Sequence, residues 1–98
     1  MFVLELAFDE DPRRLAARPA HRRQLAALHA DGMLAMAGPW DDDSGALLVF
    51  DTDRAGVEAI MAADPYYTTA GVTVTALRQW NPIIGVTPSH PITGSQAR

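Results

Sequence analysis

At 98 residues, with 48% hydrophobic and 20% charged side chains, the chain suffices for one soluble-type domain with a thin core. The net charge is −4 and all eight basic residues are arginines scattered along the sequence, so nucleic acid is not an expected partner and Schiff-base chemistry through a lysine is excluded. With no cysteine there is no disulfide framework, thiolate nucleophile or zinc knuckle, which suits a cytoplasmic protein.

Phe2 to Phe8 alternates Phe2, Leu4, Leu6 and Phe8 against Val3, Glu5 and Ala7, the pattern of a strand with one strongly apolar face. It meets Glu5 early, without a basic lead or cleavage site, so no signal peptide is expected. No apolar run approaches a membrane span, so no membrane partner is expected either. Asp9-Glu10-Asp11-Pro12 ends the strand, and Arg13 to Ala17 reads as a short helical turn. Pro19 interrupts any continuous helix there and pushes Arg18 toward an extended conformation. The main helix is expected from about Pro19 to Asp31, with Gly32 as its C-terminal stop.

Met33 to Ala37 reads as a second strand closed by Gly38-Pro39, and Trp40 to Gly45 as a turn. Ala46 to Phe50 is a third, nearly all-apolar strand. Asp51, Thr52 or Asp53 caps a second helix running to about Ala63, which Pro65 ends. Val72 to Trp80 is the fourth strand. After Asn81-Pro82 the periodicity is lost, so residues 1–82 form the domain and 83–98 a tail, flexible or draped over a neighbouring subunit. A domain this small gains stability by association, so a homo-oligomer is expected.

The order β-α-β-β-α-β is that of an α+β, ferredoxin-like sandwich with an antiparallel sheet. If the first strand runs up, the first helix runs down and the second helix up. The start of the first helix and the end of the second then share one end of the molecule with Gly38-Pro39, the Asp41–Asp43 turn and Ala70-Gly71. His21 lies in line with Leu25 and Leu28, and Asp64 with Val57 and Ile60, so each is placed on a buried stripe. An imidazole near a helix N-terminus and a carboxylate at a helix C-terminus both oppose the macrodipole, and pairing would favour imidazolium and carboxylate together. The functional reading is a His21–Asp64 dyad. The bland one is that Asp64 turns the chain at Asp-Pro and His21 is a core histidine on a backbone carbonyl.

The segments Arg18-Pro19-Ala20-His21, Leu28-His29-Ala30-Asp31-Gly32, Ala37-Gly38-Pro39, Ala63-Asp64-Pro65-Tyr66 and Ala70-Gly71-Val72 resemble the YCII-related (YciI-like) family. The motifs are individually weak and jointly specific, and they run through the first 82 residues. The resemblance implies a dimeric α+β barrel, hence a homodimer, and an active pair that carries onto His21 and Asp64. One branch of the family removes chloride from a chlorinated hydroxyhydroquinone without a cofactor. The short acidic turn Asp41-Asp42-Asp43-Ser44-Gly45 departs from the longer glycine-rich loop of many relatives, at the border of the expected pocket.

Arg18, beside the expected helix start, is placed to hold a carboxylate or enolate oxygen, with a surface salt bridge as the alternative. Tyr66 and Tyr67 follow Asp64 directly, and one of them supplies a phenol to the pocket or Asp-Pro-Tyr forms a packing corner; Trp40 is a pocket wall or a dimer contact. Gly38, Pro39, Trp40, Arg18 and Tyr66 are thus the expected substrate contacts. His29 is too far along the helix from His21 for a shared metal and reads as structural. The Asp41–Asp43 run lacks the spacing of a calcium loop and reads as a solvated turn. No metal or other cofactor is expected. The leading function is general acid/base chemistry, an elimination such as dehydrochlorination or an isomerisation, on a small polar cyclic or aromatic molecule. The alternatives are a non-catalytic ligand-binding or accessory module using the same pocket, and a structural dimerisation domain with a buried ion pair.

Overall fold

The structure, a computed structural model, describes residues 1–85. Its elements are β1 (Phe2–Phe8), α1 (Arg13–Ala30), β2 (Leu34–Pro39), β3 (Gly45–Phe50), α2 (Arg54–Ala63), a 3-10 turn (Pro65–Thr68) and β4 (Val72–Gln79). The strands make one antiparallel sheet in the order β2-β3-β1-β4. This is the expected α+β, ferredoxin-like βαββαβ arrangement, with β1 at the centre between β3 and β4.

The alternation in β1 does what the pattern requires. Phe2, Leu4 and Leu6 are buried on one face, while Glu5 on the other is exposed. Leu4, Leu48, Phe50 and Val57 are the most deeply buried large side chains, each worth about 1.5–3 kcal/mol relative to exposure. They join one sheet face to α2, whose start is fixed by the Asp53 carboxylate accepting the Gly56 N–H at 2.8 Å.

The first helix differs from expectation. A short turn, a break at Pro19 and a second helix are replaced by one continuous α1 from Arg13 to Ala30, with Pro19 inside it. Asp11 starts this helix by accepting the Arg13 N–H at 2.9 Å. The first two turns are then tied down from outside: Arg14 and Arg18 both reach Asp43 at 3.0 Å, and Ala17 packs on the core. Those tertiary contacts override the local preference of an X-Pro pair. The C-terminus is as expected. Gly32, at φ 80°, lets its own N–H reach His29 O and the Met33 N–H reach Leu28 O, a Schellman closure.

The edge strand β2 runs on through Gly38 and Pro39, which an edge tolerates because no neighbour needs the missing N–H. Ala37 pairs with Leu48 and Pro39 with Ala46, so they share the helix-facing side of the sheet. Side chains this small under α1 leave space unfilled. In β3, a Cβ on Gly45 would lie 2.1 Å from the Leu6 carbonyl oxygen, so only glycine permits that approach of β3 to β1. The tail expected over 83–98 falls mostly outside the described residues; Ile83 and Ile84 are exposed.

Candidate active site

Proline at 65 forces Asp64 into an extended conformation, φ −115° and ψ 109°, which ends α2 and turns its side chain inward. One carboxylate oxygen, Oδ1, accepts the Tyr66 N–H at 3.0 Å and caps the 3-10 turn. The other, Oδ2, accepts from His21 Nδ1 at 2.7 Å. Asp64 is therefore both the turn residue and the partner of His21, joining two readings that the sequence set against each other. The pair is buried, with His21 7% and Asp64 5% exposed.

His21 projects from the middle of α1, not from its first turn, so the helix dipole does not act on it as expected. Its ring is fixed on three sides. Tyr66 stacks on it at 3.9 Å between centroids with planes 7° apart, Tyr67 meets it edge-on at 5.3 Å, and Asp64 holds Nδ1. Burial pushes the imidazole pKa below its ordinary 6.5 and outweighs the opposing pull of Asp64; the charges of Arg22 and Arg18 lower it further. Burial therefore opposes the imidazolium form that pairing with Asp64 favours. The Nδ1–H tautomer leaves Nε2 as the basic nitrogen.

His21 and Tyr66 form one end of a cavity of about 550 Å³ between α1 and the β2 side of the sheet. Ala37, Gly38 and Pro39 line it, as does Arg18; Trp40, half exposed, is not among the lining residues. The i, i+4, i+8 row of His21, Leu25 and His29 forms one wall. His29 donates Nδ1–H to Leu34 O at 2.9 Å, a structural bond, yet also lines the cavity.

Arg18 is not beside a helix start, so the expected anion site of helix-start amides is absent; α1 begins at Arg13. Its guanidinium reaches Asp43 at 3.0 Å and lies over the Phe8 ring at 5.5 Å. Burial opposes its charge, but hydrogen bonding to Asp43 and Tyr66 outweighs this and holds the pKa above the ordinary value. Arg14 shares Asp43 and the same ring, at 5.0 Å. Asp43 has φ 58°, a left-handed backbone that aspartate tolerates, and Arg14 and Arg18 hold its pKa down. What read as a solvated turn is, at Asp43, a clamp on α1.

Of the two tyrosines offered by the sequence, Tyr66 lines the cavity and Tyr67 instead meets the His21 ring edge-on; sequence reasoning missed Arg22 and the cavity-facing role of His29. The i, i+4 step from Arg18 to Arg22 is a signal for the first of these. Among the described residues no group of three His, Asp or Glu gathers as metal ligands, and no helix is long and apolar enough to cross a membrane.

A ferredoxin-like α+β domain with a buried His–Asp pair at the end of an apolar cavity is the class this geometry defines. The YCII-related domain model matches residues 1–81, and the chain belongs to that family. No curated protein matches the chain.

Proposed function

We propose that the protein is a small enzyme that uses His21 and Asp64 for general acid/base chemistry on a small polar cyclic or aromatic molecule. The observation that carries the reading is the 2.7 Å bond between His21 Nδ1 and Asp64, which holds the imidazole at the wall of a cavity of about 550 Å³. A cavity of that size is in the range that takes small organic ligands. Nε2 takes a proton from a carbon or hydroxyl of the guest, and Asp64 stabilises the imidazolium that results. The same proton returns to the product in an isomerisation, or leaves with a departing group in an elimination such as dehydrochlorination. Tyr66 and Tyr67 keep the ring in one orientation throughout. The reading includes a homodimer, supported by the half-buried apolar residues Val3, Leu47 and Ala76 on the sheet face turned away from the helices.

Turnover of chlorinated hydroquinones and of lactones is the test, with His21→Gln and Asp64→Asn beside the wild type. The expected loss in both variants is about 100- to 10,000-fold, with folding retained. A wild type that binds such molecules but converts none would replace this reading with a ligand-binding module, the alternative that the same cavity supports. Variants that only unfold would make the pair structural.

A further inference from the structure

The cavity carries a charge pattern opposite to that of the chain. The protein is acidic overall, at −4, yet among the described residues no aspartate or glutamate lines the cavity, while Arg18, Arg22, His21 and His29 do. Arg18 is committed to Asp43, which it shares with Arg14, so that cluster holds two cations and one anion. The side chain of Arg22, one helical turn further on, makes no hydrogen bond or ion pair among the described residues. Residues 86–98 contain neither Asp nor Glu, so no side-chain carboxylate there is available to it. An unpaired guanidinium at the rim of a pocket floored by Leu6, Leu48 and Ala37 is a fork for a planar anion, with apolar surface beside it for the anion's body.

We infer that the guest of this cavity is a small aryl or cycloalkyl carboxylate, recognised by Arg22 and not by Arg18. The carboxylate meets the Arg22 guanidinium, its ring lies against Leu25 and Ala37, and the end near Tyr66 meets His21. This names a substrate class within the function proposed above, but anion recognition does not depend on turnover.

Binding is measured by calorimetry with benzoate, phenylacetate and cyclohexanecarboxylate, each against its neutral primary amide. The expected result is that at least one carboxylate binds about tenfold or more tightly than its amide, and that added salt reduces the difference. Arg22→Gln should remove that advantage, Arg22→Lys restore part of it, and both leave amide binding unchanged. By NMR, Arg22→Gln should also raise the His21 pKa, since Arg22 lowers it in the wild type. Equal binding of acid and amide, no binding of any of the three acids, or full carboxylate affinity in Arg22→Gln would each overturn the inference. Carboxylate binding that depends on Arg22, in a protein that turns nothing over, would leave this site standing and remove the enzymatic reading. Turnover of chlorinated hydroquinones in a protein that shows no carboxylate binding dependent on Arg22 would do the reverse.

Discussion

His21 loses more from burial than it gains from Asp64, and this balance sets the response to acid. Its folded pKa lies below the unfolded value of 6.5, so the unfolded chain binds the proton first as pH falls. The stability contributed by the neutral ring is therefore complete above about pH 6.5 and is lost as pH drops from there through the folded pKa. Urea midpoints measured across this window should decline in the wild type, and His21→Gln should have a shallower slope. If His21 is the base, kcat/KM should follow the same limb and reach its plateau by neutral pH. A second residue-scale prediction concerns Tyr67, whose hydroxyl is buried with no hydrogen-bond partner among the described residues. Burial raises its pKa, since the phenolate has no support there. Removing the orphaned group in Tyr67→Phe should leave stability unchanged or raise it by about 1 kcal/mol, read from thermal or urea unfolding. The edge contact to His21 needs only the ring, so turnover should persist.

Among the elements, α1 is where local rules and the structure part. Pro19 is exposed, seven residues into the helix, and removes the N–H that Leu15 O would accept. Pro19→Ala should therefore stabilise the fold by about 1–3 kcal/mol, measured by chemical denaturation, without altering ligand binding. The proline was legible as a helix breaker, and that is where the reading failed. Propensity describes the isolated segment, and it does not contain Asp43, which holds Arg14 and Arg18 from a different turn of the chain. By contrast, β1, β3, α2 and the Gly32 stop were legible because period, cap and left-handed glycine are local signals that agree with the final packing. Placing His21 in a first turn followed from the same misreading of Pro19. The stripe that carries it survives because His21, Leu25 and Leu28 keep their spacing wherever the helix begins.

At the scale of the molecule, the helices cover one face of the sheet and the other carries Val3, Leu47 and Ala76 beside Glu5 and Arg78. In the proposed homodimer this face is the interface. Leu47→Asp is expected to convert the dimer to a folded monomer, seen as a halved mass in light scattering with unchanged far-UV circular dichroism. A wild type that is monomeric at high concentration would end that proposal. The sequence by itself determined the order of elements and the ferredoxin-like connectivity, because hydrophobic period and turn chemistry are written residue by residue. It also determined that His21 and Asp64 lie on inward stripes, since those depend only on helical spacing. Only the tertiary structure decided that α1 is continuous, that burial outweighs pairing at His21, and that Arg18 is occupied while Arg22 is free of ion pairs among the described residues. Desolvation and ion-pair choice depend on what surrounds a group in space, and residues 14, 18 and 43 become neighbours only once the sheet has brought their segments together.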